Sequence, residues 1–146
     1  MKFDPKALLG TLDAARLDAV IETMVIAAAA DGELDTDERE QLLASLAALT
    51  RGAAGLSAAE RPDLAAVLDR VLRELREQGR EARLAIVAER LGDAAGRKAA
   101  FGLSVEVTAT DGIVRTSERE FLLELAAALQ IDRDEAADLV RHITKA

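Results

Sequence analysis

The 146-residue chain has no Cys, Trp or Tyr, one His, two Pro and three Phe. Without Cys there are no disulfides, no thiolate zinc sites and no Cys nucleophile. The single His142 removes multi-His metal sites, and a Ser-His-Asp triad would have to use that one residue. The ferritin-like di-iron pattern needs two Glu-x-x-His pairs, and the chain contains none. Aromatic hot spots and base-stacking platforms have little material to draw on. The longest purely apolar run, Met24 to Ala30, is far short of the ~20 residues that span a bilayer. At the start, Met1-Lys2-Phe3-Asp4-Pro5-Lys6 places charges where a signal peptide needs an apolar core. These features predict a cytoplasmic protein with no membrane anchor of its own.

Half of the residues are apolar and about a third are charged, a balance that folds rather than stays disordered. The net charge of −8 disfavours nucleic acid phosphates and anionic membrane surfaces and suits a cation or a basic protein partner. Ala makes up roughly a fifth of the chain, and Leu, Arg and Glu are abundant, all strong helix formers. The predicted fold is all-α, a compact bundle of about seven or eight helices in a single domain over residues 1–146.

Caps and periodicity place the helices. After a short turn at Pro5 to Leu9, Asp13 caps a helix to about Ala30, ended by Asp31-Gly32. Asp35, with Glu38 as capping-box acid, opens a helix to about Thr50. Following the loop at 51–55, Ser57 and Glu60 form a second box for a helix through Pro62 to about Gln78. Gly79 breaks the chain before a helix from Arg80 to Leu91, and Asp93 caps one to about Thr110, with Gly96 and Gly102 as weak points. Helices from Thr116 to Leu129 and from Asp132, boxed by Glu135, to about Ile143 complete the chain.

An internal repeat dominates this pattern. Residues 31–49 align without a gap on residues 111–129, with eleven of nineteen positions identical. Shared Ala and Leu carry little weight here, but Asp-Gly, Thr and Glu-Arg-Glu in one register carry more. The repeat units cover about 13–50 and 93–130, joined by an Arg-rich helical connection at 51–92. Charge follows the same division, at −6 for residues 1–50, +2 for 51–98 and −4 for 99–146.

Each unit is a helix, an Asp-Gly turn, and a Glu in the first turn of the next helix. A carboxylate at a helix C-terminus is disfavoured by the macrodipole and needs compensation, from free amides or a cation. An EF-hand register puts Ala27 and Ala29, and Val107 and Ala109, at the first two ligand positions, which argues against a true EF-hand. Asp31, Glu38, Asp111 and Glu118 remain as candidate metal ligands. Their all-oxygen chemistry favours Ca²⁺, Mg²⁺ or Mn²⁺, with Zn²⁺ left open. The same residues also read as ordinary helix caps, and spacing alone leaves both readings standing.

Ala29-Ala30-Asp31-Gly32, followed by Glu38 and a Leu-rich helix, resembles the TerB family of tellurite-resistance-associated proteins. Related modules precede the J domain of membrane-anchored DnaJ-like co-chaperones. The second copy, Thr108-Ala109-Thr110-Asp111-Gly112 through Glu118-Arg119-Glu120-Phe121-Leu122-Leu123, resembles the family's C-terminal half, so the resemblance spans essentially the whole chain. It implies a non-enzymatic helical module with a metal-binding acidic cluster. It also implies a role in stress responses through complexes with membrane and cytoplasmic protein partners; self-association is left open. Asp31, Glu38, Asp111 and Glu118 match the motif, whereas Glu33, Asp35 and Asp37 are replaced by Ile113, Arg115 and Ser117 in the second copy. That difference predicts unequal affinity if there are two sites.

Two other readings stand beside this one. In the first, a helical adaptor uses the acids as caps and as a docking face for a basic partner. In the second, a hydrolase would have only the four acids and a metal-activated water to work with. Arg70, Arg73, Arg76, Arg80 and Arg83, interleaved with Glu74, Glu77 and Glu81, predict a salt-bridged solvent face. Glu22 and Glu106 lie on other helical faces than Asp31 and Asp111 and are set aside. His142 reads as a solvated helix-end residue, and Phe3, Phe101 and Phe121 as core.

Overall fold

Local signals cut the chain into helices much where the sequence places them. The computed structural model describes residues 14–30, 34–51, 63–108 and 116–144, and among these residues it forms seven α-helices and no strand. They are α1 (Ala14–Ala28), α2 (Thr36–Arg51), α3 (Leu64–Gln78), α4 (Arg80–Leu91), α5 (Ala94–Thr108), α6 (Thr116–Ala128) and α7 (Arg133–Thr144). The all-α bundle is therefore the fold. The expected first turn at Pro5 to Leu9, the cap at Asp13 and the box at Ser57 and Glu60 lie outside the described residues.

The caps have identifiable chemistry. Asp63 accepts a bond from the Ala66 amide at 3.3 Å, so α3 begins just after Pro62 rather than across it. Gly79, at φ 89°, closes α3 by donating to the Leu75 carbonyl at 2.9 Å and at once opens α4. Asp93 caps α5, accepting from the Gly96 amide at 2.8 Å. At the end of α6, Gln130 takes φ 60°. The Gln130 amide bonds to Ala127 at 3.1 Å and the Ile131 amide to Ala126 at 2.9 Å, a Schellman closure. Asp132 accepts from the amides of Asp134 and Glu135 to start α7. The Glu135 carboxylate, predicted to complete that box, reaches across to Lys98 at 2.9 Å.

α1 and α5 form the most extensive helix pair, at the centre of the bundle. α1 is apolar on nearly every side, with Val20, Ile21, Met24, Val25 and Ile26 all buried, as a central helix requires. Across from it α5 presents small residues, and Gly96, Ala99, Ala100, Gly102 and Ser104 are buried. Gly96 and Gly102, expected to weaken this helix, sit inside an unbroken one. A helical glycine costs about 1 kcal/mol in propensity, and both lie buried within the bundle. One buried cluster draws residues from all seven helices, with Phe101 and Phe121 in it. Phe3 lies outside the described residues.

The repeat is visible in the helix bounds. Ala14 and Ala94, Ala28 and Thr108, and Thr36 and Thr116 bound equivalent helices at a constant offset of 80 positions. α3 packs on α1 as α7 packs on α5. Even the ties correspond with reversed sign: Asp18 of α1 bonds Arg70 of α3, and Lys98 of α5, 80 positions on, bonds Glu135 of α7.

Candidate functional site

Of the four acids the sequence singles out, Asp31 and Asp111 lie outside the described residues. Glu38 is an exposed residue in the first turn of α2. Its Oε1 accepts from the Asp35 amide at 3.1 Å, while the Glu38 amide donates to Asp35 Oδ1 at 2.7 Å. This is a complete capping box, and it uses one of the two Glu38 carboxylate oxygens. Glu118 is half-buried in the first turn of α6. Among the described residues, no three His, Asp or Glu side chains come together as a metal-binding group.

The structure assembles a different polar cluster, at the joint of α1, α3 and α4. α1 supplies Asp18 and Glu22, one turn apart on one face. α3 supplies Arg70 and Glu74 with the same spacing, and α4 supplies Arg83 and Arg90, two turns apart. Glu22 is fully buried and Arg83 nearly so. Arg83 places Nε at 2.8 Å and Nη2 at 2.7 Å from Glu22 Oε2, and Arg90 Nη1 lies 3.3 Å from Oε1. A second link runs through Asp18, which takes Arg70 Nη2 at 3.0 Å and Arg90 Nη2 at 2.8 Å on Oδ2. Glu74 Oε1 sits 3.4 Å from Arg70 Nε and 3.6 Å from Arg83 Nη2, close enough for Coulomb attraction. Neither Arg70 Nε nor Glu74 Oε1 has a well-formed hydrogen bond.

Three carboxylates face three guanidinium groups, so the cluster is neutral within itself. It leaves no net charge to attract an ion and holds no nucleophile. Its physical effect is to lock three helices in one register, because each buried charge is satisfied only when all three are in place.

One expectation is corrected, and one residue that was set aside as a ligand gains a structural role. Glu22, set aside for lying off the Asp31 face, is the centre of the buried network. The Arg-rich stretch is not a uniform solvated face, because Arg83 is buried and Arg70 and Arg80 tie helices together, while Arg73 and Arg76 are exposed. Arg80 of α4 pairs with Glu124 of α6 through two bonds, at 3.1 and 2.8 Å, and its guanidinium lies 5.2 Å from the centre of the Phe121 ring. A sequence signal for Glu22 does exist. It stands between Val20-Ile21 and Met24-Val25-Ile26, so no rotation of α1 exposes it, and a buried carboxylate demands a cation. The Arg-rich middle of the chain is where such a partner is plentiful.

His142 is exposed in the last turn of α7. No helix among the described residues is long and apolar enough to cross a membrane. Comparison with protein-family models, with curated proteins and with solved structures finds no match to this chain.

Proposed function

We propose that the chain is a non-enzymatic, TerB-like helical module that binds a divalent cation through Asp31, Glu38, Asp111 and Glu118. In this reading it acts in the cytoplasm as a scaffold or sensor within a stress-response protein complex, including one associated with a membrane. The supporting observation is the constant offset between the two helix pairs. Because three of the four bounds of α1–α2 recur in α5–α6 80 positions on, Asp31 and Asp111 occupy equivalent places in the chain order, as do Glu38 and Glu118. The capping box uses Glu38 Oε1, and the carboxylate has a second oxygen to offer a cation. Oxygen-only ligation suits Ca²⁺, Mg²⁺ or Mn²⁺.

One observation favours a second reading, in which the acids are helix caps and a docking face for a basic protein and no metal is involved. Glu38 already has a structural task in its bond to the Asp35 amide. A thermal melt followed by far-UV circular dichroism separates the two. It is run in EDTA and then with each of Ca²⁺, Mg²⁺, Mn²⁺ and Zn²⁺, beside the double variant Asp31→Asn/Asp111→Asn. A native-state ligand at a hundredfold excess over its Kd stabilises by about 2.7 kcal/mol. The metal reading expects a rise with at least one ion that the double variant loses. A melt unmoved by every ion selects the adaptor.

A further inference from the structure

α7, the last described helix, packs chiefly on α5 and α6. Ala136 and Leu139 are buried there, Val140 is partly buried against the core, and Glu135 meets Lys98 of α5 at 2.9 Å. The joint that carries the chain from α6 into α7 is four residues long, 129–132. It contains the one non-glycine residue with positive φ among the described residues, Gln130 at 60°. A side chain makes that left-handed conformation costly, because Cβ crowds the following carbonyl oxygen. The Gln130 side chain is exposed and accepts from Arg97 Nη1 at 2.7 Å, and Arg97 Nη2 also donates to the Ala88 carbonyl near the end of α4 at 3.2 Å. Two neighbouring cations of α5, Arg97 and Lys98, thus hold the joint and the helix that follows it.

We propose that α7 is exchanged between two copies of this chain, giving a swapped dimer in which the α7 of each copy covers α5 and α6 of the other. The occupant of the uncovered surface is set by complementarity already present. Lys98 offers an ammonium to Glu135, and α5 and α6 offer an apolar seat to Ala136 and Leu139, which a second α7 fills as well as the first. Every contact α7 makes is recovered in the exchange, and the gain lies in the joint. Once α7 swings away, Gln130 leaves the left-handed region and that strain is released in both copies. Short connections under strain are the ones that invite swapping, a low-cost route to a dimer. A net charge of −8 on each chain opposes association, so added salt favours the dimer. The exchange is independent of whether the acids bind metal.

The full chain, in equal parts of natural and heavy-nitrogen label, is concentrated, warmed to just below its melting temperature and cooled. Size-exclusion chromatography with light scattering then separates dimer from monomer. A carbodiimide couples the Lys98 amine to the Glu135 carboxylate 2.9 Å away, and mass spectrometry reads whether the linked peptides come from one chain or two. The dimer should yield links between a light and a heavy peptide, and the monomer only links within one label. A chain that stays monomeric at every concentration, or a dimer whose Lys98–Glu135 links all stay within one label, overturns the inference. Gln130→Gly lets the closed joint keep its φ without a Cβ, so it should lower the dimer association constant by about 10-fold or more, with two joints in each dimer. An unchanged constant overturns the inference as well.

Discussion

Replacing Arg83 with Met should be among the most destabilising single changes in this molecule. The substitution keeps an unbranched apolar stem and removes the guanidinium that approaches Glu22 at 2.8 and 2.7 Å. Glu22 is fully buried and cannot turn to water, so an ionised carboxylate is left in a low-dielectric site. Breaking a buried pair from one side typically costs 3–5 kcal/mol. Arg90 remains 3.3 Å from the other carboxylate oxygen, which places the expected loss near the lower bound, about 3 kcal/mol. For a chain of this size that corresponds to a fall in Tm of roughly 6–12 °C. Glu22→Gln should cost less, because Arg83 keeps Gln78 Oε1 at 3.2 Å and Glu74 nearby, and Arg90 keeps Asp18. The double variant Glu22→Leu/Arg83→Met removes both charges together and fills the site with apolar atoms, so it should recover most of the loss. Urea unfolding followed by far-UV circular dichroism is the suitable assay, since there is no Trp to report by fluorescence. A loss below about 1 kcal/mol for Arg83→Met, or a double variant as unstable as the sum of the singles, would refute the reasoning.

Two further predictions concern the helix ends. Gly79→Ala should cost about 1–3 kcal/mol in urea unfolding from backbone strain alone. Its φ of 89° and ψ of 157° suit only glycine, yet an added Cβ would meet nothing within 4 Å. Asp35→Ala removes the oxygen that receives the Glu38 amide and should cost about 0.5–2 kcal/mol by the same assay. A neutral result would separate the stability of α2 from its cap.

The helix ends were readable because each depends on contacts within four residues. Asp35 with Glu38, Asp93 with Gly96, and Gly79 carry their bonding partners in the adjacent sequence, and the structure places those bonds as expected. The box at Asp132 was half readable: its cap is local, but Glu135 was drawn away by Lys98 on another helix. The candidate site was less legible. Glu38 could be placed as a cap, whereas the meaning of Glu22 depended on two arginines more than sixty residues away.

The sequence by itself determined the all-α class, the two-fold repeat and nearly every helix boundary, because propensity, capping and periodicity act over short distances. Only the tertiary structure decided which faces were covered. It buried Gly96 and Gly102 in an intact central helix and brought Glu22 between Arg83 and Arg90. Among the described residues it also packed α6 against more helices than α2, although the two align without a gap. Burial is a property of the neighbours a residue meets, and those neighbours are chosen when the helices assemble.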